Sequence, residues 1–378
     1  MCGASASAAS DPQSRGRTQW YRILLLALGG AGLVAGICTG LARLGFGAAP
    51  LAALAEYHGP LFVNGMFGTL TTLERAVASR RPLDYMAPTF CGLGTLFVLF
   101  DAAPAGAILY VFASFIVSIY AIRSAIRRPA LFAWALAASS LFWLMGNIVW
   151  FAGASVPEAV GWWLAFLVFV IGGERLEFGG PRPEGTAFVV CFWASVLLIA
   201  VGSWFTILES AGSVLFGGGL MLCALWTIAN DRTVWTSRPH GQTRFMAASL
   251  GAGYGWLAVG GVVLLAGAGV PSAFTYDMTI HALVLGLAFS MVFGHALVVL
   301  PSILRLDLVF TTALYVPLAL LQTGVALRIA GGVSGWMEGR MLSGPVAVLA
   351  IAGFTAIIAG QTIKARLTLR DVRQPARV

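Results

Sequence analysis

The chain has 378 residues, of which 59% are hydrophobic and only 10% charged, and its formal net charge is +8 at pH 7. Soluble domains carry about 25% charged residues, so this composition excludes a soluble protein and leaves no room for a sizeable soluble domain. The basic residues stand in short loops between apolar segments rather than in one patch, so the positive charge does not indicate binding to nucleic acid.

Apolar segments recur along nearly the whole sequence, each close to the roughly 20 residues that a spanning helix needs. They predict an all-α, polytopic membrane bundle of about twelve transmembrane helices, which we number helix 1 to helix 12 in chain order. The predicted spans are 20–44, 58–79, 84–101, 104–123, 129–151, 157–174, 185–206, 209–229, 243–269, 273–300, 308–329 and 341–365. The lipid bilayer is therefore the first expected partner.

The predicted domain organisation is one bundle over 20–366, between a disordered cytoplasmic tail at 1–19 and a basic cytoplasmic tail at 367–378. Residues 1–19 are small and polar and lack the apolar core of a cleavable signal peptide. The five cysteines contain no CxxC pair, so neither a disulfide framework nor a zinc site is expected. They are Cys2, Cys38, Cys91, Cys191 and Cys223.

The distribution of arginine and lysine predicts the orientation. If the amino terminus is cytoplasmic, the loops after the even-numbered helices hold most of the basic residues, and the opposite loops hold mostly acids. Positive loops stay in the cytoplasm, so both termini should lie there, in the inner (plasma) membrane of the cell. Only the loop that carries Arg328 and Arg340 departs from this pattern.

Three of the four histidines fall within predicted spans. His58 opens helix 2, His281 and His295 both lie on helix 10, and His240 belongs to a loop where it should be solvated. An ionisable residue at membrane depth is costly, so it usually faces the bundle interior and has a partner. Neutral histidine is the commonest metal ligand. Each of the three is therefore a candidate metal ligand, unless it only hydrogen-bonds a neighbouring helix.

The positions of these histidines predict two stacked sites. Helices 2 and 10 run in the same direction, and His58 and His281 both lie near the outer face. His295 is 14 residues after His281, about 21 Å along an unbroken helix, so the two cannot bind one metal, although they point to the same side. Small residues would leave space for a planar guest or serve plain helix packing; they are Gly65, Thr69, Thr72 and Ala288.

A Glu-Arg pair closes each of two helices on the inner side. Glu74 and Arg75 end helix 2, and Glu174 and Arg175 end helix 6. These residues predict an inner polar cluster that relays protons, or that holds the propionates of a cofactor through Arg75 or Arg175. Interfacial ion pairing is the alternative. A different class also stays open, a cofactor-free secondary transporter or channel with a path along Glu74, His295 and Arg175.

Two stretches resemble a known family. HGPLFVNGMFGTLTTLERA, from His58 to Ala76, is similar to the second helix of NnrS-type membrane proteins, and HALVLGLAFSMVFGHALVVLP, 281–301, is similar to their tenth. NnrS proteins bind haem and copper and are implicated in tolerance of nitric oxide. They are similar in turn to the twelve-helix catalytic subunit of haem–copper oxidases, in which histidines on helices 2 and 10 bind the low-spin haem.

The resemblance implies a haem–copper-oxidase-like fold and a b-type haem between His58 and His281, with copper as a further metal. It also implies electron transfer, nitric-oxide response or metal-cofactor handling, with a redox partner protein. The departure lies in helices 6 and 7, which contain no histidine, whereas the oxidases bind copper there. We therefore expect no catalytic reduction of oxygen or nitric oxide, and the role of His295 is left open between ligand and hydrogen-bond partner.

Overall fold

The computed structural model describes residues 12–47, 53–79, 81–178, 185–231, 233, 240–270, 272–305 and 308–373. Within this part of the chain the protein is entirely helical, without a strand. The twelve helices are α1 (Pro12–Arg43), α2 (His58–Ser79), α3 (Met86–Leu99), α4 (Ala103–Arg127), α5 (Leu131–Phe151), α6 (Val156–Phe178), α7 (Thr186–Trp204), α8 (Ser210–Asn230), α9 (Gln242–Gly267), α10 (Ala273–Leu304), α11 (Tyr315–Ser334) and α12 (Met337–Arg373). The prediction of a helical bundle is confirmed.

Ten of the described helices are long and apolar enough to cross a membrane, so the chain is a multi-pass membrane protein. The two others are α2, which carries Glu74 and Arg75, and α3, which has only 14 residues. Helices suit this composition because the interior of a bilayer offers no water to hydrogen-bond free backbone N–H and C=O groups. A helix pairs these groups with each other.

Several helices extend beyond the predicted spans, and helix 11, predicted at 308–329, is shifted to Tyr315–Ser334. Helix 4 was predicted at 104–123 and runs to Arg127, and helix 12 was predicted at 341–365 and runs from Met337 to Arg373. A basic or polar turn can continue a helix beyond its apolar stretch, so the end of hydropathy does not mark the end of the helix. Helix α1 likewise begins at Pro12, inside the predicted tail, whose residues 1–11 lie outside the described part of the chain.

Consecutive helices pack against each other as hairpins, and α6 and α10 form the centre. In their most apolar stretches, 78% of the α6 residues and 67% of the α10 residues are buried, against 28% for α1. Helix α2 packs on α1, α3 and α10. The helices that carry the three membrane histidines therefore meet in the interior.

A row of glycines lets α1 and α2 approach closely. A Cβ atom on Gly32 would lie 2.8 Å from the carbonyl carbon of Gly65, and one on Gly40 would lie 2.5 Å from Cε1 of His58. Small residues at intervals of four are the usual means of close packing between membrane helices. This packing places the His58 ring directly against α1.

Both α2 and α10 contain a π-helical segment of eight residues. The first is Leu61–Gly68, which begins three residues after His58, and the second is Ala282–Phe289, directly after His281. All residues of the first segment and nearly all of the second are buried. Such wide turns are rare and often occur at functional sites, and here each one follows a histidine.

Candidate functional site

Two cavities are stacked along α10, one at each end of its buried stretch. The two-histidine cavity has a volume of about 150 Å³, and both His58 and His281 line it. The carboxylate cavity has a volume of about 540 Å³, and its lining includes Glu74, Glu174 and His295. The structure thus brings His58 and His281 together and places His295 with the two glutamates.

His58 is fixed by contacts with two helices. Its Nδ1 lies 2.8 Å from the backbone carbonyl oxygen of Gly36, and its ring meets Phe62 edge to face, with centroids 5.1 Å apart. Gly40 provides the space that the ring occupies, as the distance from a hypothetical Cβ shows. The first residue of α2 is therefore held in one orientation.

His281 is fixed by its own helix. Its Nδ1 lies 2.7 Å from the backbone carbonyl oxygen of Asp277 and 3.4 Å from Oδ1 of the same residue. A histidine and a residue four positions earlier lie on one face of a helix, so this geometry follows from their spacing. The Asp277 carboxylate also favours a proton on Nδ1.

The hydrogen bonds decide which ring nitrogen is available. A carbonyl oxygen only accepts, so Nδ1 of both His58 and His281 carries the proton, and Nε2 of each neutral ring carries the lone pair. Neither Nε2 makes a hydrogen bond with a residue that the structure describes, and both rings line the same cavity. Metal-binding histidines almost always donate their other N–H to a carbonyl or carboxylate, which is the arrangement seen here.

The charge of Asp277 is balanced by two arginines. Arg328 binds it in a bidentate fashion, with N–O distances of 2.6 and 2.8 Å, and Nε of Arg340 lies 3.2 Å from Oδ2. These arginines are the ones that depart from the predicted charge pattern. They belong to a buried ion-pair cluster rather than to a free loop, which explains why they do not follow a rule about loop charge.

The imidazoles of His58 and His281 are the histidine donors that line the two-histidine cavity. Among the described residues no group of three or more His, Cys, Asp or Glu side chains could hold a metal, whereas zinc in proteins has three or four protein ligands. A haem iron would need only two protein ligands, and His58 and His281 would be the residues that hold it. The cavity, at about 150 Å³, is smaller than usual ligand pockets of about 300–1,000 Å³, so a macrocycle requires it to widen.

A layer of aromatic rings separates the two cavities. Phe62 lines the two-histidine cavity, and Phe67 and Phe289 line the carboxylate cavity. The Phe289 ring packs edge to face on both, with centroid distances of 5.8 Å to Phe62 and 5.4 Å to Phe67. Ile351 of α12 borders both cavities, so at that point the wall between them is one side chain thick.

His295 has the same local bond as His281 but a different environment. Its Nδ1 lies 2.9 Å from the carbonyl oxygen of Met291, four residues earlier, and its Nε2 lies 3.4 Å from Nη1 of Arg175. The guanidinium group can only donate, so it points a donor at the nitrogen that a metal would need. His295 is therefore a weaker ligand candidate than the other two histidines.

Arg175 is held by Asp231, at the end of α8. Its Nε and Nη2 lie 2.9 and 3.1 Å from the two carboxylate oxygens, and Nη2 also donates to Oγ1 of Thr233 at 2.7 Å. Tyr254 donates to Asp231 as well, at 2.6 Å. Burial alone would raise the pKa of Asp231, but the hydrogen bonds and charge of Arg175 outweigh it and hold the pKa below its usual value.

The two glutamates of the carboxylate cavity are paired unequally. Arg75 reaches Glu174 at 3.5 Å, a long contact. Glu74 makes no hydrogen bond or ion pair with any residue in the described ranges, and its side chain lines the cavity. The Glu-Arg pairs of α2 and α6 thus connect to each other through one contact and leave one carboxylate without a partner.

Several residues of these sites were not identified from the sequence. Asp277 had a local signal, since it lies one helical turn before a membrane histidine. Asp231 and Tyr254 had none, because their partner Arg175 is 56 residues from Asp231 along the chain. His240 lies in an exposed loop position, as predicted.

Comparison with known proteins gives one result. The model of the family described as "Domain of unknown function (DUF8744)" matches residues 22–363, almost the whole helical bundle, so the chain belongs to that family. No curated protein matches it, and no solved structure does. The family description names no activity, so the chemistry has to be argued from the two cavities.

Proposed function

We propose that this member of the DUF8744 family is a membrane metal-binding protein that holds iron, as a b-type haem, between His58 and His281. One observation carries the proposal. Two partly buried imidazoles on packed helices donate Nδ1–H to backbone carbonyls, and both rings line one shared cavity. An imidazole so placed in a membrane interior needs a partner for its lone pair, and no described residue supplies one.

Copper is the other metal that this donor set would accept, because imidazole suits both copper and iron. The number of protein ligands favours haem, since the macrocycle itself would supply the four remaining nitrogens. The resemblance of α2 and α10 to NnrS proteins and to haem–copper oxidases supports the same choice. Bound haem would supply one-electron chemistry, which suits electron transfer, nitric-oxide response or metal-cofactor handling.

The cellular setting is part of the proposal. We infer the inner (plasma) membrane, with both termini in the cytoplasm and the two-histidine cavity near the outer face. The support is the loop charge, because the departure at Arg328 and Arg340 has a structural reason in their pairing with Asp277. Reporter fusions after Gly153 and after His240 test it: the first should report the outside and the second the cytoplasm.

The transporter alternative has less support. Its path required Arg175, whose guanidinium is already bound to Asp231 and Thr233. It also required a polar connection along α10, where the rings of Phe62 and Phe289 lie between the cavities. A substrate that crosses the bundle would have to displace this aromatic layer.

The decisive experiment is the visible spectrum of the purified protein, oxidised and dithionite-reduced, with metal analysis of the same sample. We expect a b-type spectrum and about one iron per chain. If the sample contained copper and showed no haem band, the two-histidine site would be retained in the proposal and its metal would be copper. A colourless protein without iron or copper, purified from cells supplied with both, would refute the proposal.

A further inference from the structure

The carboxylate cavity has the dimensions and the lining of a ligand site that is independent of the proposed metal. At about 540 Å³ its volume lies within the range of about 300–1,000 Å³ that is usual for small-molecule pockets. It is formed by α1, α2, α6, α9, α10 and α12, and apolar side chains provide most of its wall. A polar group at one end of such a pocket generally fixes the orientation of a ligand.

The cavity reaches the surface that faces lipid. Val298 of α10 and Thr355 and Ala359 of α12 all line it, and all three are exposed side chains on membrane helices. A molecule dissolved in the bilayer can therefore enter sideways, without passing through water. This access selects ligands that partition into lipid.

The polar end selects the head group of such a ligand. Arg175 is paired with Asp231 and Glu174 contacts Arg75, which leaves the carboxyl group of Glu74 in the lining without a hydrogen bond or ion pair to a described residue. A carboxyl oxygen accepts a hydrogen bond, and a second carboxyl group, that of Glu174, lines the same cavity. Fatty acids and phospholipid phosphates are therefore disfavoured, and a hydroxyl group that donates a hydrogen bond is favoured.

The walls select the body of the ligand. Phe67, Phe289, Phe293 and Phe354 line the cavity, and the last two stack with ring centroids 3.9 Å apart. Aromatic side chains pack well on a flat ring. We propose that the carboxylate cavity binds a lipid-soluble phenol, with its hydroxyl on Glu74 and its ring among the phenylalanines.

Matched ligands test the head group. The full-length protein in lipid nanodiscs is titrated with 4-decylphenol, with its methyl ether 4-decylanisole and with decanoate, and the bound fraction is measured after rapid separation. We expect the phenol to bind about tenfold more tightly than the ether, since the ether leaves the Glu74 carboxyl group without a hydrogen bond. Decanoate should not compete. Equal binding of all three would mean that the cavity holds only an acyl chain, and would overturn the proposal.

Matched variants test the location. Gly30 lines the cavity, and a Cβ atom there would meet nothing within 4 Å, so Gly30→Phe should fill the cavity without disturbing the helices. Gly255 is equally free of neighbours but faces outward and lines neither cavity, so Gly255→Phe is the control. We expect loss of phenol binding in the first variant and none in the second. Glu74→Ala should remove the preference for the phenol over the ether.

These results are separable from the proposed metal site. Gly30→Phe lies in a different cavity from His58 and His281, so it should leave the visible spectrum unchanged. Unchanged phenol binding in Gly30→Phe, with the protein folded and its spectrum intact, would place the ligand elsewhere and contradict the assignment of this cavity.

Discussion

The two cavities of this protein contain the same residue in nearly the same local geometry, with different chemical consequences. In both, a histidine on α10 donates its Nδ1–H to the carbonyl oxygen four residues earlier. The His281 ring lines a cavity together with a second imidazole and its Nε2 has no described hydrogen-bond partner, while Nε2 of His295 lies 3.4 Å from Nη1 of Arg175. The group near Nε2 therefore determines whether the histidine is a candidate metal ligand or a hydrogen-bond acceptor.

The acids near the two histidines differ as well. Asp277 is surrounded by Arg328 and Arg340, so the two-histidine cavity has no free carboxylate from that residue. In the other cavity Arg175 is occupied by Asp231 and Glu74 remains without a described partner. The acid beside His281 is therefore held in an ion-pair cluster, whereas Glu74, an acid that lines the other cavity, has no described ion pair.

The largest expected effect is the loss of bound metal in His58→Ala and in His281→Ala. Each variant removes one of only two protein ligands. Loss of a residue that merely supports a ligand already costs about 10–100-fold in affinity, so we expect no measurable metal. Metal content and the visible spectrum of the purified variants provide the measurement.

The matched controls are His295→Ala and His240→Ala, which should keep the full metal content and spectrum. If His295→Ala lost the metal while His58→Ala retained it, the comparison between the cavities would be reversed, and the carboxylate cavity would become the metal site.

The next effect concerns stability. Arg328→Ala removes the bidentate partner of Asp277, with side chains that are only 9% and 14% exposed. Breaking a buried ion pair usually costs about 3–5 kcal/mol, and we expect about 3 kcal/mol here because Arg340 remains. Thermal unfolding in detergent, followed by circular dichroism, measures it.

Arg340→Ala is the control, since its side chain is more exposed and makes one contact of 3.2 Å with Asp277. Arg340→Ala should lower the free energy of unfolding by less than half as much as Arg328→Ala does. Equal effects of the two substitutions would show that the bidentate geometry has no special weight.

A smaller effect is expected from Gly40→Ala. The new Cβ would lie 2.5 Å from Cε1 and 2.8 Å from Nδ1 of the His58 ring, so the ring has to move and its bond to Gly36 weakens. We expect metal affinity to fall about 10–100-fold, as for other residues that orient a ligand.

Gly30→Ala, where a Cβ meets nothing within 4 Å, should leave that affinity unchanged. If Gly40→Ala bound metal as well as the parent protein, the orientation of His58 by α1 would not matter for the site.

The features predicted correctly from the sequence are those that depend on local residue patterns. Hydropathy predicted the twelve helices. The order and direction of helices 2 and 10 predicted that His58 and His281 lie at similar depth, and in the structure both line one cavity. The partners of Arg175 and Arg328 depend on long-range contacts across 56 and 51 residues, which no spacing rule reveals. The π segments were also missed, because their sequences are as apolar as any membrane helix and no residue in them requires a wider turn.

The smallest effect tests the polar network behind His295. Tyr254→Phe removes the hydroxyl that donates to Asp231 at 2.6 Å and leaves the ring in place. One donor to a carboxylate contributes about 1.5–3 kcal/mol. We expect the free energy of unfolding to fall by about 1–2 kcal/mol, because Arg175 and the Thr233 amide remain as donors to Asp231.

The same substitution should change the pH dependence of stability. The folded pKa of Asp231 lies below its ordinary value, so its interactions stabilise the protein at neutral pH. That stability is lost as the pH falls below the ordinary value toward the folded pKa. Without Tyr254 as a donor this pKa rises, so the variant should begin to unfold at a higher pH during acid titration than the parent protein. Tyr276→Phe, on the other side of the bundle, should leave the acid midpoint unchanged. If Tyr254→Phe does the same, Arg175 alone determines the charge of Asp231, and the network that directs a donor at His295 does not need the tyrosine.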